Sequence, residues 1–249
     1  MKTEMLYGYH PVNEALKACR RKIHEIHFAK TRLSGPIEAL LARAETARIP
    51  VKQMLPAQLK AATETDMHQG IGALVSPFPF APFAQVLDPP VKKTTGRFLL
   101  LLDSIVDPRN LGALIRTALC AGIDGVLIPK DRSALPSPLV SKASSGALEH
   151  VTLAKVTNMA DSIDTLKQNG VWVVGLDKHA SRSLYDGDFC GDLAVVIGGE
   201  EKGIRPRVRK KCDYLVSIPQ SERVNSLNAS VAGAVMMYEA YRQRWASGI

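Results

Sequence analysis

Three stretches of this chain put polar side chains just where apolar runs end, and each could do chemistry. The first, residues 103–118, reads DSIVDPRNLGALIRTA. Asn110 is expected to cap the helix that follows. Leu111, Leu114, Ile115, Ala118 and Leu119 are expected to form that helix's core stripe. Arg116 falls off the stripe, on the side of Gly112, where a ligand or another chain could approach; the bland alternative is an ordinary surface arginine. The second stretch, residues 195–204, reads VVIGGEEKGI. Adjacent Gly198 and Gly199 after a buried run permit close backbone approach, and Glu200 adds a carboxylate beside them. The third, residues 216–234, reads VSIPQSERVNSLNASVAGA. Ser226 and Asn228 can cap a helix and also present donors and acceptors. The small residues after them allow unusually close packing.

These stretches also exclude chemistry. The glycine spacing is not G-x-G-x-x-G, so a nicotinamide oxidoreductase lacks its fingerprint. The lysine–Ser/Thr pair of a Walker loop is missing as well.

The elements that must position these loops follow from periodicity. Apolar runs at 98–102, 126–128, 171–176, 193–197 and 214–218 are expected to be buried strands. Helical patterns at 110–121, 137–147, 159–169 and 228–243 alternate with them. That alternation predicts an α/β domain with a parallel sheet, whose ligands bind beyond the carboxyl ends of the strands. Upstream, the spacing predicts helices at 13–21 and 35–47 and strands at 24–29, 49–54 and 71–75. Between the two parts, residues 76–96 carry five prolines without a regular period, which predicts a semi-rigid connector. The expected division is therefore a small α/β domain at 1–76, a Pro-rich linker at 77–96 and a larger domain at 97–249. Phe78, Phe80 and Phe83 of the linker are expected to pack on a domain surface.

With 46% hydrophobic residues the chain can build a real core. The net charge of +8 suits a polyanionic partner without requiring one. Two basic clusters are candidates for phosphate contact: Lys17, Arg20, Arg21 and Lys22, and the run Arg205, Arg207, Arg209, Lys210 and Lys211. The alternative for the first is favourable charge at a helix end, and for the second a solvated helix face. The four cysteines form no Cys-x-x-Cys pair, so no zinc site is expected. Their scatter fits a reducing compartment, with thiols serving as small apolar residues. Without a long apolar run or an apolar leader, a cytoplasmic protein with no membrane partner is expected.

Taken together, NLGALIRTA, VVIGGEEKGI and IPQSERVNSLNASVAGA resemble, in sequence and order, the three motifs of the SpoU, or TrmH-type, RNA 2′-O-methyltransferases. The resemblance covers about residues 97–245. LYGYHPVNEAL near the start and HQGI at 68–71 resemble that family's L30e-like substrate-binding domain, with lower specificity. The resemblance implies a SPOUT fold with a deep trefoil knot, a homodimer and S-adenosylmethionine as cofactor. It implies methylation of a ribose 2′-hydroxyl, with a guanosine of 23S ribosomal RNA as the expected target. A transfer RNA substrate, or a non-catalytic RNA-binding role in ribosome assembly, are the alternatives.

By the same resemblance Asn110, Arg116, Glu200, Ser226 and Asn228 are the catalytic set. Gly198, Gly199, Ile218 and Leu227 line the cofactor pocket, and Arg20, Arg21, Arg205, Arg207 and Arg209 contact RNA. Arg116 is expected at the ribose oxygen or its phosphate, oriented by Glu200. A guanidinium rarely gives up its proton, so it is expected to stabilise the developing alkoxide rather than act as base. The chain departs from the motifs at Glu201, where a small residue is common, and at Ala229, where valine is common.

Overall fold

The computed structural model describes residues 2–29, 35–89, 96–221 and 226–246. They gather into two compact units: residues 1–79 with 135–150, and residues 80–134 with 151–249.

In the first unit β1 (Glu4–Tyr7), α1 (Tyr9–Ala18), β2 (Ile23–Phe28), α2 (Gly35–Thr46), β3 (Val51–Gln53), α3 (Pro56–Thr63) and β4 (Ile71–Val75) follow in order. The sheet order is β1-β4-β2-β3, antiparallel except for β2 with β3. Leu6, Ile26, Ile71 and Ala73 of the sheet pack with Val12 and Ala15 of α1 and Ile37, Leu40 and Ala44 of α2. Helix α1 starts well before the expected 13–21. Gly8, at φ 90°, turns the chain into the helix, and Pro11 sits in the first turn, where its missing N–H costs nothing. Cys19, left-handed at φ 51°, ends it. The expected strands and helices of this unit are present, joined by β1 and α3, which periodicity did not separate from their turns.

The second unit holds α4 (Phe83–Leu87), β5 (Phe98–Asp103), α5 (Pro108–Cys120), β6 (Gly125–Pro129), β7 (Leu153–Val156), α7 (Met159–Gln168), β8 (Trp172–Leu176), β9 (Leu193–Gly198), α8 (Pro206–Arg209), β10 (Tyr214–Val216) and α9 (Ala229–Ala246). All strand pairs of its six-stranded sheet are parallel, in the order β10-β8-β9-β5-β6-β7. Every residue of β5 is buried, and each of its leucines contributes roughly 1.5–3 kcal/mol over exposure. One face packs Leu99, Leu101, Leu127 and Val196 against Met159, Ile163 and Leu166 of α7. On the other, α9 packs on β9 and α5. There Gly233 lets the helix approach closely, since a Cβ would stand 2.4 Å from Leu114 Cδ2 and the leucine would have to move.

The structure revises several expectations. Residues 81–87, expected in a connector, are built into the second unit: Ala81 bridges to Ala154, and Val86 is buried in the core of α7. The helix expected at 137–147 is only α6 (Pro138–Ala143), because Ser145 and Gly146 are left-handed. It belongs to the first unit. Leu119, expected in the core stripe of α5, is 39% exposed. None of the four cysteines is in a disulfide. Cys19, Cys120 and Cys190 are exposed, so only half-buried Cys212 acts as a small apolar residue. Burial pushes the Cys212 thiol up to about 12.

Candidate active site

Strand order reverses between β5 and β9. The chain runs outward from β5 through β6 and β7, then returns on the far side through β8 and β9. The crevice beyond the carboxyl ends of such strands is where parallel sheets bind ligands. A cavity of about 440 Å³ opens there, within the roughly 300–1,000 Å³ of small-molecule sites.

One wall is the loop after β9. Gly203 N–H donates to the Gly199 carbonyl at 2.8 Å, closing the loop on itself, and Gly199 N–H donates to the Asp103 carbonyl at 3.0 Å. A Cβ on Gly198 would lie 2.1 Å from the Gly203 carbonyl carbon, and one on Gly199 2.3 Å from the Ser104 carbonyl oxygen. These glycines are therefore set by backbone meeting backbone. Gly198, Gly199, Ile218 and Leu227 all line the cavity, and so does Ser226.

At its edge Asn110, Glu200 and Asn228, far apart in sequence, come within hydrogen-bonding distance. Asn110 Nδ2 donates to Glu200 Oε1 at 2.6 Å. Asn228 Nδ2 donates to the same carboxylate oxygen and reaches Asn110 Oδ1 at 3.2 Å. Asn228 Oδ1 meanwhile accepts from Ser230 N–H at 2.9 Å and Val231 N–H at 3.3 Å, so it caps α9. One asparagine thus anchors a helix with its oxygen and the carboxylate with its amide. Asn110 is not the cap expected of it. Asp107 caps α5, accepting from Arg109 N–H at 2.8 Å, and Asn110 sits within the first turn. Its amide is thereby left for Glu200. Arg116 is exposed farther along α5 and is not part of the cavity wall.

Sequence reasoning missed the loop after β8, whose Asp177, Lys178 and His179 complete the cavity. The strand-end rule applied to it equally, but the loop carries no glycine pair to mark it. Among the described residues no group of three or more His, Cys, Asp and Glu side chains is arranged to hold a metal. Nor is any helix among them long and apolar enough to cross a membrane.

Residues 97–238 match the SpoU rRNA Methylase family, and residues 5–81 match the RNA 2′-O ribose methyltransferase substrate-binding family. The chain belongs to the SpoU family. RlmB of Pseudomonas putida, named a 23S rRNA (guanosine-2′-O-)-methyltransferase, is 39% identical over 241 residues, 97% of each chain. A TrmH family protein of Staphylococcus saprophyticus is 37% identical over 98% of this chain and 97% of its own. The SpoU methyltransferase AviRb of Streptomyces viridochromogenes, solved with AdoMet, superposes with a TM-score of 0.82 at 25% identity, over 98% of this chain and 91% of that one. As a SpoU protein the chain is an S-adenosylmethionine-dependent RNA ribose 2′-O-methyltransferase.

For such an enzyme the cavity is chemically apt. Ile197, Ile218, Leu227 and Ala232 offer apolar surface for a flat base, and the closed glycine loop offers backbone groups.

The expected RNA contacts fare unevenly. The Arg21 side chain is wholly buried in the first unit. Its Nη1 lies 2.6 Å from Glu4 Oε2 and its Nε 2.8 Å from Glu149 Oε2. It is structural and has no face for phosphate. Arg20 lies over the Phe78 ring at 5.7 Å and is partly desolvated. Arg205 is bound to Asp103 through Nη2 at 2.6 Å. Arg209 lies 3.3 Å from Asp177 and lines the cavity. Lys211 pairs with Asp164 and Lys17 with Glu14. Arg207 is exposed on α8.

Proposed function

We propose that this enzyme methylates the ribose 2′-hydroxyl of a guanosine in 23S ribosomal RNA. It would act in the cytoplasm as a homodimer built on a knotted SPOUT domain, its first unit an L30e-like RNA grip. The observation that carries the reading is the meeting of Asn110, Glu200 and Asn228 at the mouth of a cavity walled by the Gly198–Ile204 loop. The likeness to RlmB over nearly the whole of both chains supports the guanosine and the 23S target.

S-adenosylmethionine supplies, when bound, a methyl group on a positively charged sulfur. The chain's task is to hold a ribose oxygen in line with that methyl and to stabilise it as its proton leaves. Orientation of this kind supplies up to roughly 7–11 kcal/mol in favourable systems. Gly198, Gly199, Ile218 and Leu227 would hold the cofactor. Arg116, exposed on α5, would face the developing alkoxide or its phosphate, with the proton passing to phosphate or water. Structure-based partners for Glu200 are the two asparagine amides, so its role extends past orienting Arg116 to fixing the loops after β5 and β9 to the start of α9. Ser226 would add a hydroxyl at the same edge. Arg207 and Arg20 remain the better candidates for phosphate contact.

The test is mapping 2′-O-methyl groups in ribosomal RNA from cells with and without this gene, beside transfer of labelled methyl to a 23S transcript in vitro. Loss of one guanosine methylation from 23S RNA is expected. An unchanged ribosomal map with a lost transfer RNA methylation would sink the target, and no methyl transfer to any RNA would sink the activity.

A further inference from the structure

Asp103, the last residue of β5, is fully buried. A buried carboxylate needs partners, and both of its oxygens find them on one residue 102 positions away. Oδ2 accepts from Arg205 N–H at 2.8 Å, and Oδ1 from Arg205 Nε at 2.8 Å with Nη2 at 2.6 Å. The Asp103 backbone carbonyl meanwhile accepts from Gly199 N–H. One residue thus holds both ends of the loop after β9: its entry at Gly199 and its exit at Arg205. Just before the entry, Gly198 packs against Gly203 and Ile204 with no room for a side chain. Glu200, at the crest, is where the amides of Asn110 and Asn228 converge.

We propose that Asp103 and Arg205 form a clasp that holds the cofactor loop shut and so sets the position of Glu200. Arg205 is then a positioning residue for methyl transfer and not an RNA contact. The fork of a guanidinium suits this better than an ammonium could, because two nitrogens meet the carboxylate while the backbone N–H meets its second oxygen. The clasp rests on the reading of the Gly198–Ile204 loop as cofactor wall.

The full-length protein serves for the test. Affinity for S-adenosylmethionine is measured by calorimetry, affinity for a 23S ribosomal RNA transcript at two salt concentrations, and turnover at saturating cofactor, for Arg205→Gln, Arg205→Lys and Gly199→Val. Arg205→Gln is expected to weaken cofactor binding about ten-fold or more and to lower turnover. Its RNA affinity should stay within about two-fold with the same salt slope. Arg205→Lys should recover part of the cofactor affinity. Unchanged cofactor affinity in Arg205→Gln, or a salt slope shallower by about one phosphate contact, overturns the clasp. If Arg205→Gln does not fold, Arg205→Lys decides: cofactor binding about three-fold weaker supports the clasp, and unchanged binding refutes it. Gly199→Val separates the two levels. If it leaves cofactor affinity intact, the cofactor wall is misread and the clasp falls with it. If it weakens binding while Arg205→Gln does not, only the clasp falls.

Discussion

In the second unit Asn110, Glu200 and Asn228 meet at strand ends open to solvent. In the first, Arg21, Glu149 and Glu4 meet in the interior, with Ser141 Oγ donating to Glu149 at 2.8 Å. Both clusters join residues distant in sequence through a carboxylate. The open one has neutral amides around its acid, at the rim of a cavity. The closed one sets a cation against its acids, and burial pushes the Glu149 carboxyl up against the opposing pull of Arg21. Amides can trade partners with an arriving ligand at small cost, whereas a buried ion pair cannot part without stranding a charge. The first arrangement suits a site and the second a support.

Substitutions can break or sharpen that contrast. The largest expected effect is Arg21→Met, which strands Glu149 and should lower unfolding free energy by about 3–5 kcal/mol, read by urea titration. The double variant Arg21→Met with Glu149→Gln should recover part of it. An undiminished stability would remove the support role. Next is Arg116→Lys, which keeps the charge and loses the fork. Its turnover should fall by about 100-fold or more while calorimetry finds cofactor affinity within about two-fold. Parallel loss of cofactor binding would place Arg116 with the cofactor instead. Smaller in stability but telling is Asn228→Ser. Serine still caps α9, so stability should stay within about 0.5 kcal/mol, yet the amide to Glu200 is gone and activity should drop. Asn228→Ala, losing both, should cost about 1 kcal/mol as well.

The smallest effect concerns pH. Burial raises the Asp192 carboxyl, but hydrogen bonds and charge from Arg97 outweigh it and hold its pKa below the usual value. A carboxyl held low in the folded state stabilises above its unfolded pKa of about 3.9 and loses that contribution as pH falls through the lower folded value. The melting temperature should therefore drop less below about pH 4 in Asp192→Asn than in the parent. Equal slopes in thermal scans would show the pair to be idle.

Much of this was legible from the chain alone. Strands such as FLLLL at 98–102 announce themselves, because a parallel strand buried on both faces is a continuous apolar run. The three motif loops stand out by their glycines and small residues, and their expected cavity residues do line one cavity. Short strands escaped: Leu153–Val156 carries an exposed lysine at its centre and reads as a loop. Ion pairs escaped for a deeper reason. Arg21 and Arg205 look like any basic residue until folding brings Glu149 and Asp103 to them, and no local pattern encodes a partner 102 or more positions away. The same blindness turned Asp107 and Asn110 around, since either could cap α5 and only geometry chooses.

The segment Leu135–His150 belongs to the first unit although its flanking residues belong to the second. The first unit is thus assembled from two separate pieces of chain. A gene fragment stopping near residue 76 would keep this unit's apolar core, which draws on residues from Leu6 to Val75, but would lack Ser141 and Glu149 and leave Arg21 unneutralised on that side. Anyone transplanting this module onto another enzyme would have to supply an acid for Arg21 or replace that arginine with an uncharged residue.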